Sequence, residues 1–194
     1  MDGTPFRSQE LLDIEWSNTS SMQFPNGWGV VVDGYPVMYC GGTIPDSILS
    51  GFRKRKQYIF LLETFAQVLV LLLFWPEMGP YYMSYINNLA SQWALTKGYS
   101  SDSECNTIVG LFWIMSGILG ISPWFERVPS KAQLVDAPSR GVLSFGKSLG
   151  WRRLDFHLDP LWEAISTTIQ EGRDWDVKVA RHILSLSSEI PSSL

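Results

Sequence analysis

Hydrophobic positions are densest between residues 58 and 75, YIFLLETFAQVLVLLLFW. A helix that is apolar on every side belongs in a protein interior, so this stretch predicts a buried central helix. It contains one acidic residue, Glu63. A carboxylate there must be hydrogen-bonded, bind a cation, or sit at the mouth of a pocket. Upstream the pattern shortens to strand length. Residues 11–16 form a short strand of mixed polarity, and Pro25-Asn26-Gly27 is a turn signal. Residues 27–32, GWGVVV, are a β-branched strand; Asp33-Gly34 marks a hairpin, and residues 36–41 return. This is an antiparallel meander of three strands.

The central helix, read over 56–74, ends before Pro76, and a fourth strand covers 81–86. A short helix runs from Asn88 to a cap at Gly98. Ser101 or Asp102 caps the next helix, which has Glu104 in its first turn and runs to about Gly117. Residues 123–128 are a fifth strand, and 134–140 a turn or short helix. The order βββ-α-β-α-α-β-α predicts an α/β fold with a five-stranded mixed sheet, its first three strands antiparallel. After Gly141 the pattern becomes amphipathic, with helices over 161–171 and 177–185. The expected organisation is a domain over 1–141 and a helical C-terminal extension over 142–194.

Composition adds a strain to this picture. Hydrophobic residues make up 45% and charged residues only 18%, with nine Trp. Little charged surface is left for solvent, which suits a chain with partner surface. Trp93, Trp113 and Trp124 are expected to pack in the core. The net charge of −4 excludes a strongly basic nucleic-acid binder but not a local basic groove. Cys40 and Cys105 belong to no Cys/His cluster, so a zinc site is not expected. The first residues show no secretory h-region and no transit-peptide bias, which points to an intracellular setting. A membrane-associated subunit with residues 58–75 in the bilayer is an alternative, although Glu63, Thr64 and Gln67 interrupt that run.

Several motifs resemble the ribonuclease H-like domains of reverse-transcribing retroelements, notably those of protist and tyrosine-recombinase elements. They are GWGVV at 27–31, LETFAQ at 62–67, YINNLA at 85–90 and VPSKAQLVDAPSR at 128–140. The last is the most specific, because such families carry a VPS-x-x-N-x-A-D-x-x-SR segment. The resemblance covers about Leu11 to Gly141. It implies a four-carboxylate site holding two Mg²⁺ ions, which favour hard oxygen ligands and activate water for phosphodiester cleavage.

Carried over residue by residue, the helix carboxylate is Glu63 and the carboxylate near the last helix is Asp136. The position after strand four, an Asp in the family, is Asn87. The position ending strand one, also an Asp there, best matches Asn18, while a shifted register would make Asp13 or Glu15 the acid. Two of four ligands thus read as neutral amides. The implied function is a domain with weakened or lost nuclease activity, serving as a structural or nucleic-acid-binding subunit of a larger assembly. Its contacts to nucleic acid would come from Arg53, Lys54, Arg55, Lys56 and Arg140. The alternative is an active Mg²⁺-dependent ribonuclease H using Glu63, Asp136 and Asp13 or Glu15. His157 and His182 lie away from the motifs and read as packing or surface residues.

Overall fold

The computed structural model describes residues 9–12, 25–32, 35–43, 50, 52–53, 59–128, 150, 152–153, 159–170 and 176–188. The elements are β1 (Gln9–Leu12), β2 (Pro25–Val32), β3 (Tyr35–Thr43), α1 (Ile59–Phe74), β4 (Tyr81–Ile86), α2 (Leu89–Lys97), α3 (Ser103–Leu119), β5 (Ser122–Arg127), β6 (Arg152–Arg153), α4 (Asp159–Gln170) and α5 (Val177–Ser188). A short 3₁₀ turn, Trp75–Glu77, ends α1, where Pro76 cannot continue the helix. The class is α/β.

The six strands lie in the order β5-β4-β1-β2-β3-β6. β1, β2 and β3 run antiparallel in sequence, and β4 pairs parallel with both β1 and β5. β6 adds two residues parallel to β3, at Arg152 and Arg153. This pairing lies in a region that reads as a loop in the sequence. β2 begins at Pro25, so the Pro-Asn-Gly signal falls inside the strand rather than before it. A register shift between Val30 and Val31 absorbs the irregularity of the hairpin.

Every residue of α1 from Leu61 to Phe74 is buried. It packs against α3 and α2, and α5 also reaches it. β4 alternates as a half-covered strand should: Tyr82, Ser84 and Ile86 are buried, while Tyr81 is exposed. The two C-terminal helices are built into the same core. Leu161 and Ile165 of α4, with Ala180, Ile183 and Leu184 of α5, belong to one cluster with Leu69, Phe112 and Phe125.

Helix ends follow the chemistry of their caps. The Asn88 carboxamide accepts from Ala90 N at 3.0 Å and Ser91 N at 3.2 Å, and Gly98 closes α2 with φ of 75°. Asp102 rather than Ser101 caps α3, accepting from Cys105 N at 2.9 Å. α3 runs through Gly117 to Leu119, because Gly120, with φ of 67°, is the glycine that takes the left-handed conformation.

The tryptophans depart from expectation. Trp93 is 54% exposed, Trp113 37% and Trp124 64%. Lys97 Nζ stands 4.7 Å from the Trp93 ring centre, a cation–π contact at the surface. Trp113 donates its indole N–H to Leu95 O at 3.0 Å and meets Phe125 edge-on at 6.2 Å. Trp124 projects from β5 on the face opposite the buried Phe125. Alternation along the strand decides this, since only one face of β5 meets the helices.

β5 is an edge strand, and its outer side is partly closed. Ser122 N and Val128 N donate inward to Pro80 O and Ile86 O, so the odd-numbered residues turn their backbone outward. Pro123 has no N–H. Phe125 O accepts from Gln92 Nε2 at 3.3 Å, and Arg127 N donates to Glu126 Oε1 at 3.1 Å.

Among the described residues no helix is long and apolar enough to cross a membrane. α1, proposed above for the bilayer, has 16 residues and protein on every side.

Candidate functional site

The strand order places a cleft. From β1 the chain goes to β2 and β3 on one side, and later to β4 and β5 on the other. Where parallel strands part in this way, their C-terminal ends form a crevice that ligands use. Here those ends are Leu12 of β1 and Ile86 of β4.

α1 carries Glu63 in its second turn. The helix is fixed over β4 by the Ser84 hydroxyl, which donates to Gln67 Oε1 at 2.7 Å in the interior. Glu63 lies one turn earlier, about 6 Å along the helix. Two residues of strand span about the same distance. α1 and β4 run in opposite directions across a short connection, so this spacing sets Glu63 toward the end of the sheet at which β4 finishes. The start of α1 is tied down independently. Ser91 of α2 donates to Phe60 O at 3.0 Å, and Thr64 Oγ1 lies 3.7 Å from Cys105 Sγ of α3. Glu63 itself is only 4% exposed.

Two adjacent asparagines end β4, and they have different surroundings. Asn88 spends its side-chain oxygen on the cap of α2. Asn87 Oδ1 is buried and accepts no hydrogen bond among the described residues. A buried acceptor without a donor is costly, so its retention calls for an explanation in function or history.

Of the sequence-derived site residues, Glu63 is described as a buried residue of α1 and Asn87 as the residue that follows β4. Asn18, Asp136, Asp13 and Glu15 lie outside the described residues, as do Lys54, Arg55, Lys56 and Arg140. Arg53 is exposed, and its backbone N–H is held by Glu104 Oε1 at 2.6 Å. The start of the basic run is thereby anchored to the first turn of α3. Gln67 stands out in the sequence as a polar break in the apolar run, whereas Ser84 does not. The inward phase of Ser84, midway between Tyr82 and Ile86, was the signal available for it.

Two Mg²⁺ ions carry four positive charges, and such sites answer them with several carboxylates. Among the described residues no three His, Cys, Asp or Glu side chains stand close enough to hold a metal. Glu63 brings one charge and Asn87 none. The described part of the site does not fit a two-ion centre, and no catalytic step is derived through one. No protein-family model, curated protein or solved structure matches this chain.

Proposed function

We propose that the chain is a ribonuclease H-like domain of retroelement type whose nuclease activity is weakened or lost. It serves as a structural or nucleic-acid-binding subunit of a larger assembly. What supports the fold assignment is the strand order: three antiparallel strands, then two parallel ones stacked outward from β1. The observation that carries the loss of activity is Asn87. An amide whose buried oxygen meets no donor occupies the strand end where the resembled family has a metal-binding carboxylate. Contacts to a phosphate backbone fall to Arg53–Lys56 and Arg140, and the exposed aromatic and uncharged surface suits protein partners.

A second reading has one observation in its favour. β1 ends at Leu12, well before Asn18, and the next residue in the sequence is Asp13. An active Mg²⁺-dependent ribonuclease H would then draw on Asp13 or Glu15 with Glu63 and Asp136.

Incubation with an RNA–DNA hybrid and Mg²⁺ separates the two. The proposal expects no cleavage by the natural chain, retention of hybrid in a gel-shift assay with EDTA present, and tighter Mg²⁺ binding in Asn87→Asp. Cleavage that Glu63→Gln abolishes would overturn it in favour of the active enzyme.

A further inference from the structure

The charges of the C-terminal helix pair are sorted by sign. α5 carries Lys178, Arg181 and His182 and no acidic residue from Val177 to Ser188. α4 carries Asp159 and Glu163 and no basic residue. All five charged or ionisable groups are exposed. The two helices pack on each other across a short connection, so they run antiparallel. The acids at the start of α4 therefore lie by the far end of α5, away from Lys178.

The three basic side chains share one face. Positions three and four apart are neighbours on a helix surface, about 5–6 Å apart at Cβ. The opposite face holds Ala180, Ile183 and Leu184, which are buried, so α5 cannot roll to hide its basic side. Among the described residues none of the three side chains takes part in a hydrogen bond or an ion pair. Asp176, the acid next to the helix, is engaged at its start, where the carboxylate accepts from Val179 N at 2.8 Å. A shallow depression of about 520 Å³ opens there, and its described lining is Asp176, Val177, Lys178 and Arg181.

We propose that the outer face of α5 is a second phosphate-contacting surface, on which Lys178 and Arg181 hold the backbone of a bound nucleic acid. The inference rests on the reading that the chain binds nucleic acid, and it adds a contact outside the part that resembles ribonuclease H. The face itself selects this occupant. Spaced cations gain affinity for a polyanion by releasing its condensed counterions, with no apolar contact required. A protein interface needs a desolvated apolar centre, and a membrane-surface helix needs apolar side chains to insert. α5 has neither to give: its apolar side is spent on the core, and of its apolar residues only Val177, at the start, is exposed. Arg181 presents a planar fork of donors to a phosphate, Lys178 a mobile point charge, and the His182 ring donates an N–H in either protonation state.

Fluorescence anisotropy of the full chain with a labelled RNA–DNA hybrid in EDTA, from roughly 50 to 200 mM salt, tests this. The logarithm of the association constant falls linearly with that of the salt, with a slope set by the number of phosphates neutralised. Lys178→Ala and Arg181→Ala are each expected to flatten that slope by about 1, and the double variant by about 2, at unchanged far-UV circular dichroism. Lys97→Ala, which removes an exposed cation from α2, should leave the slope as it is. A slope that is the same in the double variant overturns the proposal and leaves the nucleic-acid reading standing, whereas a natural chain that binds no hybrid overturns both. An equal flattening in Lys97→Ala assigns the effect to net charge and overturns the proposal as well. So does a double variant that melts lower with its slope intact, because its cations are then answered inside the chain, by Glu171 or Asp174. Flotation on phosphatidylcholine–phosphatidylglycerol vesicles, lost in the double variant while hybrid binding persists, gives the face to lipid and also overturns the proposal.

Discussion

The Ser84 hydroxyl donates to Gln67 Oε1 across 2.7 Å of dry interior, and this contact sets the register of α1 over β4. Ser84→Ala leaves the Gln67 oxygen without that donor in a site where water has no access. The expected loss is about 1–3 kcal/mol of unfolding free energy, read from urea denaturation. A loss within error of zero would mean that the register of α1 does not depend on this bond.

Asn87 and Asn88 should respond oppositely to truncation. Asn88→Ala removes the cap of α2 and is expected to cost about 1 kcal/mol. Asn87→Ala removes a buried oxygen that has no donor, so it should be close to neutral or stabilising. Chemical denaturation of the two variants side by side decides the matter, and an equal cost would contradict the division of roles.

Asn87→Asp puts a carboxylate where an amide oxygen is buried. A buried carboxylate with no cation to answer it is costly, so the variant should be less stable than the natural chain in EDTA. Mg²⁺ that binds the folded form should then return part of that stability in proportion to its concentration. Thermal melting across a Mg²⁺ series is the measurement. A midpoint indifferent to Mg²⁺ would place Asn87 away from any metal position.

The glycines of α3 offer a matched pair. Gly120→Ala forces a left-handed backbone on a residue with a Cβ and should destabilise by about 1–2 kcal/mol. Gly117→Ala replaces an interior helical glycine above open space and should stabilise the fold by up to about 1 kcal/mol. Urea denaturation of the two variants is the measurement.

Cys105 is fully buried and lies beside Thr64 between two helices. In a Cys40→Ser background its thiol should react with an aromatic disulfide reagent only as fast as the fold opens. Rapid reaction in native buffer would show that the α1–α3 contact is loose.

The helices and the two parallel strands were legible because their signals are local. The all-apolar run gave α1, alternation gave β4, and Asn88, Gly98 and Asp102 gave ends that agree within a residue. The end of α3 was misplaced because two glycines competed for the cap, and only backbone conformation separates Gly117 from Gly120. The tryptophans were assigned to the core on hydrophobicity alone. Which face of β5 or α2 meets another element is a tertiary fact, and residue type does not carry it. β6 could not be anticipated, since two residues pairing at a sheet edge leave no periodicity. For the candidate site, Glu63 and Asn87 were singled out from flanking motifs and Gln67 as a polar break in the apolar run, whereas the bond from Ser84 to Gln67 is a tertiary pairing that the neighbours of neither residue announce.

The partly closed outer side of β5 has a bearing on how the chain behaves in a crowded solution. Exposed strand edges recruit other strands, and unprotected ones seed fibrous aggregates. At this edge a proline, a glutamine and a glutamate leave a newcomer few backbone groups to grip. The chain can therefore display Trp124 and its aromatic neighbours openly without templating its own polymerisation. Gln92→Ala and Pro123→Val together would reopen the edge, and faster thioflavin-positive aggregation at unchanged secondary structure is the expected sign.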